Sequence, residues 1–359
     1  MRTGWQRAAL ASAAGVIGLV LLAASGLPGA PAEKKAKEPL PPTEDFSKTL
    51  KALPYRIIYE TWQNDNWELF SVKADGSDPV NLTKTPDLSE LYPHVSPDGT
   101  KICFIVEEGS AHGGEPTARS AWYMNLDGTG RTKVADAARE ACWNGDGTVI
   151  AYLKAEFPDK FVYEDFATRG IGFYDLKTGK RTDHPNKDLH HLYNLCWAPD
   201  GKWFVATVHA GMDYKHAILA IEAGGTRVVD LKIPGCRPDL SPDGRRIAWG
   251  SDDTTLQVAD IHWDGPAPRV DHARVVMKSE EPLHVYHIDW SPDGKYVAFS
   301  RGPKQKNLKA APEIIGVKAK GWNIGVADAE KESVWWPITT DGACDKEPDW
   351  APLVKEERH

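Results

Sequence analysis

Cysteine is scarce in this 359-residue chain. There are five, Cys103, Cys142, Cys196, Cys236 and Cys344, with no Cys-x-x-Cys pair among them. That excludes a disulfide-stapled scaffold and a zinc ribbon. Cys103, Cys142 and Cys196 stand in or beside strand-like runs and read as small buried hydrophobes. Positive charge is also short: 43 Lys and Arg face 51 Asp and Glu, for a net charge of −8. A protein that grips nucleic acid by its phosphates needs a basic face, so no nucleic-acid partner is expected. Catalytic signatures are missing as well. The chain has no Gly-x-Ser-x-Gly, no phosphate-binding loop, no dinucleotide glycine pattern and no His-Glu-x-x-His. Beyond the first 24 residues no apolar run is long enough to cross a bilayer as a helix.

What is abundant is tryptophan, with 14 residues spread through a chain holding 31 Gly and 26 Pro. That combination suggests many short strands with one packing position used repeatedly. The N-terminus differs. Arg2 and Arg7 precede an apolar stretch from Ala8 to Ala24, and Gly26, Pro28 and Ala30-Pro31-Ala32 follow. Charged head, apolar middle and small-residue end predict a signal peptide over residues 1–32. The chain is therefore expected to be exported, periplasmic or extracellular, with membrane contact only if that segment stays uncleaved. Residues 33–54, with Pro39, Pro41 and Pro42, are expected to be an extended linker. Residues 354–359 read as a polar tail.

Between them lies a repeat. Aligned on one position, the chain gives Val95, Trp143, Trp197, Leu240, Trp290 and Trp350, spaced by 48, 54, 43, 50 and 60 residues. Most are followed by a tight turn of the kind Ser291-Pro292-Asp293-Gly294. Pro fixes φ for the turn and Gly takes the positive φ that closes a hairpin. Three further strand-like runs follow each of the first five, giving the four strands of a propeller blade. The first unit, from Tyr55, has no Trp strand of its own, and Trp350 has no second strand after it. The C-terminal strand should complete the first blade. The fold class is all-β: a six-bladed β-propeller over residues 55–353, expected as a monomer.

The Trp-Ser-Pro-Asp-Gly element followed by Lys295 or Arg245 and an apolar strand, with Asn81-Leu82-Thr83 closing a blade, resembles the TolB-like (WD40-like) repeat family. That resemblance implies a periplasmic propeller of the bacterial envelope. The function expected from it is a non-catalytic protein-binding or scaffold module. The alternative is an extracytoplasmic carbohydrate-active lyase or hydrolase with a metal site in its channel.

Propeller function concentrates at the channel mouth and on loops. Three residues before the Trp position stand Tyr92, Glu140, Asn194, Arg237, His287 and Glu347; one before it stand His94, Cys142, Cys196, Asp239, Asp289 and Asp349. Strand periodicity predicts both sets on the channel side. His94, Glu140, His191, Asn194, Arg237, His287, Asp289 and Glu347 are the predicted ligand or partner residues of the mouth. Imidazoles and carboxylates among them would suit a divalent cation, although no cofactor is required. Two segments exceed hairpin length. One carries Phe157, Phe161, Tyr163 and Phe166, the other Lys304, Lys306 and Lys309. They are the predicted contacts for an envelope protein or extracellular polymer.

Overall fold

The computed structural model describes residues 42–353. The predicted signal peptide and polar tail lie outside the described residues. Six four-stranded antiparallel sheets follow one another, each ordered from an inner strand outward. The inner strands are Ser89–Val95, Ala138–Trp143, Leu192–Trp197, Cys236–Leu240 and Leu283–Trp290 for blades 2 to 6. Blade 1 takes its inner strand, Asp345–Pro352, from the far end of the chain, paired antiparallel with Tyr55–Gln63. Closure by the C-terminal strand is as expected, and it joins the first blade to the last.

The turn after three of the inner strands is fastened by its serine. Ser291 Oγ donates to Asp293 Oδ1 at 2.7 Å and accepts the Tyr296 amide at 3.0 Å. Ser96 and Ser241 make the same bond to Asp98 and Asp243 at 2.6 Å. Gly294, at φ 66°, sits where a side chain would be strained. The Trp position packs the space between blades. Trp290 is buried among Ala248, Leu256 and Val258 of blade 5, with the Arg246 guanidinium 4.7 Å from its ring centre. Equivalent apolar clusters fill the other blade boundaries.

One expectation is corrected. Glu44–Lys51, inside the segment expected to be extended, forms an α-helix. Acids in its first turn and lysines in its last oppose the helix dipole. Phe46 and Leu50, one turn apart, are buried against Tyr296, Ile324 and Ile57, where blades 6 and 1 meet. The prolines that suggested extension all lie before this helix.

Candidate functional site

Strand periodicity alone does not bring the two predicted residue sets into the channel; a bulge does. In blade 6, Tyr286 pairs with Ser300 but Asp289 pairs with Ala298, so the inner strand holds one extra residue. The same shift recurs in the inner strands of the other blades. In five of the blades the residue three before the Trp position absorbs it, while in blade 3 the shift falls between Ala138 and Glu140. Tyr92, Asn194, Arg237, His287 and Glu347 all have φ between 50° and 57°. A side chain in that region costs about 1–2 kcal/mol. Such strain persists only where the surroundings hold it.

In three of the blades the bulge frees a backbone N–H, and a neighbouring blade supplies the acceptor. The Tyr92 amide donates to Glu60 Oε2 at 2.8 Å, that of Arg237 to Thr207 Oγ1 at 2.8 Å, and that of Glu347 to Ser300 Oγ at 3.2 Å. The residue one before the Trp position makes the complementary tie. Asp239 accepts the Trp290 amide at 3.1 Å and Asp289 that of Trp350 at 3.2 Å. Asp349 faces the Val95 amide, while Cys142 and Cys196 hold the same place against Trp197 and Leu240. The polar ring is thus a set of blade-to-blade joints.

This ring divides the channel. On the turn side lies a cavity of about 240 Å³ walled by Trp143, Trp197, Trp290 and Trp350. On the other side a chamber of about 40 Å³ lies between the two residue sets, room for one or two waters. His94, Asp289 and Asp349 bring their ligand atoms within 4.8 Å of one another, and His94 Nδ1 has no hydrogen-bond partner. Burial, then repulsion from Asp349 and Asp239, pushes the Asp289 carboxyl well above the usual range. Burial, then Asp239, does the same to Asp349, and burial raises Asp239 to about 6. Burial lowers His94 to about 4.

Beyond the chamber the channel is capped. The predicted residues Asn194, Arg237, His287 and Glu347 meet there, all buried. Arg237 donates to Asn194 Oδ1 at 3.1 Å and to Asp165 Oδ2 at 3.0 Å. Asn194 donates to the Tyr92 hydroxyl at 3.0 Å. His287 Nε2 lies 2.9 Å from Glu347 Oε1 and 2.7 Å from the Glu313 carbonyl. Burial works against the Arg237 charge, but Asp165 and Glu347 outweigh it and hold the guanidinium firmly protonated. Burial, reinforced by Arg237, holds His287 neutral, and burial raises Glu347 to about 8. Glu140, also raised to about 8 by burial, accepts the Leu195 amide. His191 lies apart, between Glu156 and the Ala210 carbonyl, edge-on to Phe166.

The cap consists of the two long loops. Residues 156–167 supply Asp165, and residues 304–322 supply the Glu313 carbonyl. Three more buried cations, none predicted, clamp them from below. Lys346 Nζ donates to the Ile314 and Val317 carbonyls at 2.7 and 3.1 Å, with Glu60 3.8 Å away. Arg119 pairs with Glu107 at 2.7 Å and donates to the Ile315 carbonyl at 2.7 Å. A Cβ at Gly316 would strike both members of that pair. Arg139 donates to the Val162 and Glu164 carbonyls at 2.6 and 2.7 Å. Arg237, through Asp165, is a fourth link. The sequence signal for these clamps was a charge inside an apolar run, as at Glu60 and Glu107, in blades beside long loops.

On the loops themselves, Phe161 lies under Arg119 and Arg139, and the Phe166 ring packs tilted against that of His209, 4.6 Å between centres. Tyr163 meets Phe161 edge-on. Phe157 is 47% exposed, and Lys304, Lys306 and Lys309 face solvent.

Comparison with solved structures follows this geometry. The chain superposes on TolB from Acinetobacter baumannii with a TM-score of 0.59 at 17% identity, over 83% of this chain and 66% of that one. The fold is that of a TolB-like β-propeller. A TolB-type protein from Agrobacterium tumefaciens gives a TM-score of 0.54 at 16% identity, over 82% of this chain and 91% of that one. Hydrazine synthase from Kuenenia stuttgartiensis, at 0.56 and 12% identity, covers 86% of this chain and 48% of that one. No protein-family profile matches the chain, and no curated protein sequence matches it.

Proposed function

We propose that this TolB-like propeller is an exported, non-catalytic binding module of the cell envelope, docking an acidic envelope protein or polymer on its capped face. The observation that carries the reading is the clamp. Buried Arg119, Arg139, Arg237 and Lys346 bind the undersides of both loops. The outer surface is therefore held in place before any partner arrives, which lowers the ordering cost of binding. That surface carries Phe157 and the exposed Lys304, Lys306, Lys318 and Lys320 on a chain of net charge −8. The predicted signal peptide and the likeness to TolB support the exported setting.

The test is capture of a partner from the envelope fraction by the intact chain. Lys304→Glu and Lys306→Glu together with Phe157→Ala should leave folding intact and weaken capture about tenfold or more, the yield of one or two interface anchors. Capture should also weaken with salt. Undiminished capture by the folded triple variant would overturn the choice of surface.

A second reading rests on His94, Asp289 and Asp349. One imidazole and two carboxylates at this spacing fit a divalent cation, and the partnerless His94 Nδ1 would be a ligand. Asp289→Asn distinguishes the readings. The folded-state pKa values of Asp289, Asp349 and Asp239 lie above their unfolded values, so the folded chain keeps protons that the unfolded chain releases. Their contribution is complete below about pH 4 and is lost as pH rises through the raised values. The side-chain amide introduced by Asp289→Asn keeps an acceptor for the Trp350 backbone N–H without the charge. In metal-free buffer at pH 8 the variant should be more stable to urea by about 1 kcal/mol, one pKa unit's worth. Stabilisation of the parent by Ca²⁺ or Zn²⁺ that the variant loses supports a channel cation; an identical response of both chains opposes it.

A further inference from the structure

Blade 5 has an outer strand unlike the others. Arg269–Lys278 has 10 residues, where the outer strands of the other blades have between 2 and 5. Its first half extends the pairing along Thr255–His262, with Asp260 opposite Asp271 and His262 opposite Arg269. Asp260 and His262, two residues apart, share one face of their strand. Between the pairs Val258–Arg274 and Asp260–Asp271 the register shifts, and His272 in that bulge takes φ 53°. Bulges re-aim side chains. Here the bulge brings Asp260, Asp271 and His272 together, with their ligand atoms all within 4.8 Å of one another and His262 set against Asp271.

We propose that Asp260, Asp271 and His272 form a divalent transition-metal site, of the zinc class, on the rim of blade 5, with His262 holding Asp271 in place from behind. His272 Nδ1 lies 2.9 Å from Asp260 Oδ2 and 3.3 Å from Asp271 Oδ1, and His262 Nε2 lies 3.0 Å from Asp271 Oδ1. Tetrahedral zinc with bonds near 2.0–2.1 Å separates its ligand atoms by about 3.3 Å. The three ligand atoms, within 4.8 Å of one another, need to close by at most about 1.5 Å to enclose an ion. An imidazole nitrogen beside two carboxylate oxygens favours zinc and its first-row neighbours over calcium or magnesium, which take oxygen alone. Arg274 and Arg246 are engaged with Glu330 at 2.7 and 2.6 Å, while Arg269 faces Asp264 at 3.6 Å and also acts on Asp271. The His272 side chain is 77% exposed, so the site fills from solution and can be altered without opening the core. A bound ion would fasten the extended outer strand to its neighbour.

Untagged full-length protein, stripped with EDTA, is titrated with ZnCl₂ by calorimetry. One binding event should be lost, or weakened by more than about tenfold, in both His262→Ala and His272→Ala, since even outer-shell changes cost that much. His94→Ala, in the channel, should leave this event unchanged. Co²⁺ should give tetrahedral visible absorption bands that both rim variants abolish. Zinc binding that survives both rim substitutions, or no stoichiometric binding, overturns the proposal and leaves two surface His–Asp pairs.

Discussion

A chain cut after Ala343 is expected not to fold. The lost strand, Asp345–Pro352, forms the inner edge of blade 1, and every residue in it but Pro352 is buried. Its loss exposes Tyr55–Gln63 as an unpaired edge against the channel. It also removes Trp350 from the core between blades 6 and 1, Lys346 from Glu60, and Glu347 from His287. The buried Glu60 and the Glu347 partners would then be left without their ties. Circular dichroism should show no cooperative urea transition in the truncated chain. Trp350→Ala keeps the strand and grades the effect, with an expected loss of about 3–5 kcal/mol for a buried aromatic. A cooperative transition at an unchanged midpoint in the truncated chain would show that the ring does not depend on this closure.

The parts legible in the sequence are those that local chemistry repeats. The Pro-Asp-Gly turn and the Trp position recur because every blade must turn and pack in the same way, and six copies make each reading stronger than one. The serine clamp of that turn was visible in the same motif, as Ser96, Ser241 and Ser291, though its hydrogen bonds were not. Helix Glu44–Lys51 also had a local signal, Phe46 and Leu50 one turn apart between acidic and basic ends, overshadowed by the prolines before it. The channel residues were found by position, but the bulge that aims them has no sequence mark. Five different residue types take the left-handed conformation there. What could not be read was the cap. Arg237 and Asp165 are 72 residues apart, and Arg119 and the Ile315 carbonyl 196 apart. No local pattern couples such positions. Four residues predicted for an open mouth, Asn194, Arg237, His287 and Glu347, are instead covered by the two segments predicted to be loops at its rim.

Arg237→Met should cost about 3–5 kcal/mol, because it leaves Asp165 buried without its cation. Both side chains are nearly inaccessible, at 4% and 3% exposure, and Asp165 Oδ1 already lacks a partner. Glu347 suffers less from the loss. Its folded pKa near 8 lets it stay protonated at neutral pH, and His287 remains 2.9 Å away. The penalty therefore resides chiefly in Asp165, and removing that carboxylate should relieve it. Arg237→Met with Asp165→Leu should be more stable than Arg237→Met alone by at least ~1 kcal/mol, a coupling within the range for buried pairs. Limited proteolysis separates the cap from the ring. If Arg237 holds the loop, the single variant should be cut within residues 156–167 under conditions where the parent resists, while the inner blades stay intact. Additive losses in the double variant, with an uncut loop in the single one, would mean that Arg237 supports the channel wall through Tyr193 and Tyr286, whose rings lie 5.5 and 5.6 Å from its guanidinium, and not the cap.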